Sequence, residues 1–203
     1  MDISKTINQV INLITKPKQT LQEVSSQSMT RNDIIIYLAI VGIPSFIGIL
    51  VGYGLLWSSN FLIVAAFIGA IVYYIVAIIG VIIVGYLINA FAQTFKSQQN
   101  QAQALKLVAY ASTPWLLAGI FYIIPFYGIG FLTMLAGIYG LYIFYLGLPI
   151  FMGTPKDQQV PYLIIGAVIM FIIMGVLYWA THAIIWNVAI GGAYGYAYHI
   201  GRP

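Results

Sequence analysis

Five long apolar runs, almost empty of charge, constrain this chain more than any other feature. They extend over Ile34 to Trp57, Phe61 to Phe95, Leu105 to Pro125, Tyr127 to Met152, and Tyr162 to at least His182. A hydrocarbon core of about 30 Å is crossed by about 20 apolar residues in a helix, and each run reaches that length. Apart from Lys106, none of them contains Asp, Glu, Lys or Arg. Ordinary soluble domains carry about a quarter charged residues, whereas charged residues make up 6% of this chain. A water-facing surface cannot be covered that way, which excludes a soluble enzyme, a nucleic-acid binder and a disordered tail. The reading is an all-α, polytopic integral membrane protein with five transmembrane helices. The second run, at about 35 residues and 52 Å, exceeds one upright crossing and asks for a bent or tilted helix.

The charges that remain set an orientation. Lys5, Lys16, Lys18, Arg31, Lys96, Lys106 and Lys156 fall on one side of a five-span chain, and only Arg202 falls on the other. Positive residues collect on the cytoplasmic side, so the expected topology is N-in/C-out. No apolar run follows a basic start at the N-terminus, so no cleavable signal peptide is expected. Aromatic residues are expected at the interfaces: Tyr37, Phe91, Phe95 and Tyr162 at the inner one, and Trp57, Tyr122 to Tyr127, Tyr178 and Trp179 at the outer one.

Three regions follow. Residues 1–33 form a short amphipathic N-terminal helical segment, in which Ile3, Ile7, Val10, Ile11 and Ile14 recur at helical spacing among Lys5, Asn8, Gln9 and Asn12. Such a helix suits the headgroup layer, or it packs on the protein's own loops. Pro17 ends it or opens a second short helix through Leu21 and Val24. Residues 34–188 form the membrane domain. Residues 189–203 are a Gly/Tyr-rich outer tail, too rich in glycine for a stable helix and expected to lie at the interface or on a partner.

Little chemistry is available inside the spans. Catalysis and proton coupling in a bilayer require ionisable groups at depth. His182 is the titratable candidate within a span, and Lys106, at an inner end, can snorkel to the headgroups. Ser45 and Ser112 are the serines an intramembrane hydrolase could use, with His182 as base, but Ser112 and His182 lie near opposite faces. No carboxylate accompanies His182 and His199, and cysteine is absent, so neither a metal nor any other cofactor is expected. Asn89 would seek a partner on another helix or line a polar groove together with Ser112 and Thr113. The pairs Gly48/Gly52 and Ala136/Gly140, and the seven-residue repeats Gly130/Gly137 and Gly140/Gly147, permit close helix approach, within the bundle or in an oligomer.

A more specific pattern runs from the third span to the fifth. Tyr110-x-x-x-Pro114 opens the third span and Pro125 closes it; Tyr139, Tyr142, Tyr145, Gly147 and Pro149 mark the fourth; Pro155-Lys156-Asp157 leads to Tyr162. The segment Thr15-Lys16-Pro17-Lys18-x-x-Leu21 precedes them. Together these resemble the Yip family of Ypt/Rab-interacting membrane proteins, and the short loop looks closer to the bacterial and archaeal branch. The resemblance implies five spans with a cytoplasmic N-terminus. The short stretch ahead of the first span speaks against a Rab-type GTPase partner, which the eukaryotic members have. In their own right Pro114 would kink the third span and free a carbonyl for Ser112, Thr113 or Tyr110 to cover, while Pro149 and Pro155 set the exit and the turn before Tyr162.

The expected function is that of a non-enzymatic membrane scaffold or accessory subunit, most naturally in a prokaryotic cytoplasmic membrane. Its partners would be the lipid bilayer and another membrane protein or a second copy, with no nucleic acid. The alternative is a channel or transporter for small neutral or lipid-like molecules, and in that case the polar residues should converge on one wet cavity.

Overall fold

The N-terminal segment folds as two short helices, α1 (Ile3–Thr15) and α2 (Pro17–Ser25), with Lys16 alone between them. Pro17 takes the first helical position, where its missing N–H has no partner to lose. This computed structural model describes the backbone of residues 3–52, 60–124 and 129–200, and the side chains there except at 3, 60–65, 129, 178, 181–182 and 184–200. Trp57, Pro125, the loop at 126–128 and Arg202 therefore lie outside the described residues.

Five longer helices follow, and no strand occurs among the described residues. α3 (Arg31–Ile49) begins at a capping box: Asp33 N–H donates to Thr30 Oγ1 at 3.2 Å, and Thr30 N–H donates to Asp33 Oδ2 at 2.9 Å. α4 (Asn60–Phe91) is one helix of 32 residues, about 48 Å long, continued by a 3₁₀ turn over Ala92–Phe95. Lys96 ends that turn in the left-handed region, at φ 52°. α5 (Gln101–Ala118) starts at Asn100, whose side chain accepts from Gln103 N–H, and runs into a 3₁₀ segment, Gly119–Ile123. α6 (Ile129–Met152) and α7 (Lys156–Ile200) complete the order.

α5 is the hub. Within an apolar window of 18 residues, 72% of its residues are buried, against 11% in the corresponding window of α7, inside Lys156–Leu177. α3, α4 and α6 pack around it, and α7 packs mainly on α4 as the outer wall. Close approach comes from glycine: a Cβ on Gly48 would stand 2.0 Å from the Gly119 carbonyl oxygen, and one on Gly52 1.8 Å from that of Tyr122. Gly140 likewise meets the Ala111 carbonyl oxygen at 2.4 Å, so these small-residue faces serve packing within the bundle. The beginnings of α3, α5 and α7 and the ends of α4 and α6 meet at one end, called here the basic end. There Lys96 pairs with Asp157 at 3.7 Å, and Gln98 N–H donates to the Met152 carbonyl.

Four expectations are corrected. Tyr37, Phe95 and Tyr162 do not form an interfacial belt: they are buried in the core, because their rings fill the space between helices and the two hydroxyls find partners inside the protein. Pro149 lies inside α6 and does not set its exit; the chain leaves the helix at Gly153, whose φ of 60° only glycine adopts without strain. α7 begins at Lys156, so Tyr162 lies two turns inside it. The Gly/Tyr-rich stretch is helical: α7 runs 45 residues to Ile200, about 67 Å, through the boundary drawn after residue 188. A glycine in a helix costs about 1 kcal/mol relative to alanine, too little to stop a helix already nucleated by a long apolar segment.

Candidate functional site

Polar side chains gather at the basic end, and each is placed by a helix terminus or a facing turn. Lys106 lies in the second turn of α5 and is 2% exposed. Its ammonium donates to the carbonyls of Val24, Ser25 and Gln27 at 3.1, 3.0 and 2.8 Å, closing the C-terminal end of α2. α2 carries no basic residue in its own last turn, so the cation that its dipole favours comes from another helix. Lys106 thus turns inward onto a helix end and does not snorkel to the headgroups. Gln103 Nε2 donates to the same Ser25 carbonyl at 3.2 Å, and Phe151 places its ring 5.7 Å from the ammonium.

The residues singled out from the sequence divide among several places. Asn89 Nδ2 donates to Gln101 Oε1 at 3.0 Å, joining α4 to the start of α5. Asn89 Oδ1, Gln101 Nε2 and Gln103 Oε1 are buried without a hydrogen-bond partner among the described residues. Thr113 is fully buried; its hydroxyl donates to the Ala109 carbonyl and shares a 2.7 Å hydrogen bond with Tyr37 OH. Ser112 donates to the Val108 carbonyl. Both hydroxyls therefore cover carbonyls other than that of Tyr110, the one that Pro114 leaves without its helical N–H. Tyr110 packs its ring 4.7 Å from that of Tyr37 and points its hydroxyl at Met29 Sδ. Tyr162 OH donates to the Ile88 carbonyl, and its ring stacks on Phe95. Tyr139 OH donates to the Ile14 carbonyl at 2.7 Å, whereas Tyr142 is exposed and Tyr145 half-buried. Gly147 meets Leu107, and Pro155 directly precedes α7.

Asn89, Ser112 and Thr113 thus do not converge. Ser45 is buried and donates to the Leu116 carbonyl at 2.6 Å, which ties α3 to α5; the side chains of His182 and His199 lie outside the described residues. No group of three or more metal-ligating side chains occurs among the described residues.

Farther from the basic end, a cavity of about 760 Å³ lies between α6 and α7 over a floor of α4 and α5. This volume falls in the range of small-molecule sites. Tyr73, Trp115, Met134 and Phe171 shape its walls. Gly130, Gly137 and Gly175 face it, and a Cβ on any of them would meet nothing within 4 Å. Among the described residues no Asp, Glu, Lys, Arg or His lines it; Ser112 and Thr133 donate to carbonyls of their own helices, and Tyr73 and Tyr122 are the other hydroxyl-bearing side chains of its wall. Sequence reasoning reached Gly130 and Gly137 as a packing stripe and missed that they border a cavity. It also missed Lys106 as a cap, for which a lysine at the start of an apolar run is the available signal.

Five apolar helices, each long enough to cross a bilayer, define an all-helical, multi-pass integral membrane protein. The family described as Yip1 domain matches residues 11–197, nearly the whole chain, and the protein belongs to that family. Comparison with curated proteins and with solved structures gave no match.

Proposed function

We propose that the chain is a non-enzymatic membrane scaffold or accessory subunit, which binds partner membrane proteins or organises the bilayer around it. The observation that carries this reading is where the polar groups go. Lys106, Tyr37, Thr113, Ser45, Asn89 and Tyr162 all bond across helices, leaving the cavity with mostly apolar walls and no Asp, Glu, Lys, Arg or His from the described residues. The motif residues Tyr110, Pro114, Tyr139, Gly147 and Tyr162 are structural in this reading. Arg31, Lys96, Lys106 and Lys156 at the basic end support a cytoplasmic N-terminus, in this reading within a prokaryotic cytoplasmic membrane. Photo-crosslinking in native membranes, together with the shape of reconstituted vesicles, tests it. A discrete adduct or altered vesicles are expected; a lone monomer in unaltered vesicles would count against the reading.

The 760 Å³ cavity favours a second reading, transport of a small neutral or lipid-like molecule. Gly137→Trp would fill it. Flux in liposomes that falls with this variant would place transport ahead of scaffolding.

A further inference from the structure

α1 presents three different faces. At about 100° per residue, Thr6, Val10 and Leu13 share one arc, and it packs inward, with Thr6 and Leu13 buried. Ile7, Ile11 and Ile14 form a second arc and are exposed by 51%, 54% and 37%. Lys5, Asn8 and Asn12 form a third arc, also exposed. One side suits protein, one hydrocarbon and one water.

The depth at which this helix sits is unusual. Tyr139, which bonds the Ile14 carbonyl, lies thirteen residues before the basic end of α6 at Met152, about 20 Å along the helix. The other end of α2, which packs on α6, fits the same depth. Ser25 is held by Lys106, about 8 Å from the start of α5, and α2 extends about 13 Å from there back to Pro17. The junction of α1 and α2 therefore stands about 20 Å from the basic end of a bundle built to cross a hydrocarbon core of about 30 Å, with Lys16 and Lys18 exposed beside it. A lysine's four-carbon stem is far shorter than the distance back to the basic end, so snorkelling alone cannot return these ammonium groups to water.

We propose that the α1–α2 segment is a wedge that draws the phospholipid headgroups of the basic-end leaflet down along α6 to the level of Tyr139, thinning the bilayer on that side. The α1–α2 segment carries Lys5, Lys16 and Lys18 against Glu23 among its described side chains, and the observed ion pair among the described residues is elsewhere, between Lys96 and Asp157. The occupant that fits is headgroup phosphate, with Ile7, Ile11 and Ile14 set in the acyl chains beneath it. This deepens the bilayer-organising half of the proposed function and rests on it.

The chain has no cysteine, so single labels report cleanly. The full chain is reconstituted in nanodiscs of phosphatidylcholine and phosphatidylglycerol, with spin labels at Asn12→Cys, Gln19→Cys and, as reference, Ile43→Cys. Ile43 is exposed on α3, about 18 Å from its basic-end start. The wedge predicts that the labels at 12 and 19 collide with a water-soluble nickel chelate several-fold more often than the label at 43. It also predicts that a 12-to-135 distance, measured with Leu135→Cys on α6, stays short and narrowly distributed. Labels at 12 and 19 that behave like the one at 43 would overturn the wedge, and so would a long or broad distance, which means an undocked N-terminal segment. Either failure leaves crosslinking to a partner protein untouched, so loss of the wedge is distinguishable from loss of the scaffold.

Discussion

Lys106 concentrates the cost of a buried charge at one position and resolves it with three carbonyl acceptors. Hydrogen bonds to charged groups contribute about 1.5–3 kcal/mol, so Lys106→Met should loosen α2 from the bundle while the five long helices persist. Hydrogen exchange read over residues 17–29 should quicken well before the rest of the chain does. Tyr162→Phe should be milder. It removes one hydroxyl from the Ile88 carbonyl while keeping the ring stacked on Phe95, and about 0.5–1.5 kcal/mol of thermal stability in detergent should be lost. The glycines separate by what they face. Gly48→Val drives a side chain into the backbone at Gly119 and should destabilise the bundle by about 1–3 kcal/mol or more. Gly137→Ala meets nothing within 4 Å and should leave the unfolding midpoint almost unchanged.

Among the elements, what could be read from the sequence was whatever local pattern controls. The five spans, the break at Pro17 and the amphipathic first helix all follow from runs, periodicity and a proline. Partners distant along the chain could not be read. Tyr37 looked interfacial because its pairing with Thr113, 76 residues away, has no local signature. The same holds for Tyr162 with Ile88 and for Lys106 with the end of α2. The cavity was illegible because it exists between four helices, and only their packing distinguishes Gly137, whose face opens into it, from Gly140, which lines it too but stands against the Ala111 carbonyl. The Thr30–Asp33 capping box is a different kind of miss, since its spacing is plain in the sequence. The helical C-terminal tail shows the reverse error: glycine's local cost was given more weight than the long helix it continues.

For the molecule as a whole, five helices around a buried α5 leave a wide apolar circumference with α7 as its most exposed wall. Phe171 and Trp179 are 82% and 72% exposed on that wall. In a bilayer lipid covers such a face by default, so exposure alone does not separate a scaffold from a solitary protein. Site-specific photo-crosslinking from position 171 in native membranes does. The account predicts a discrete protein adduct, to a partner subunit or to a second copy, that is absent when the same probe is placed at Ile43 on α3. Lipid adducts alone from both positions, with the protein recovered as a monomer, would contradict it.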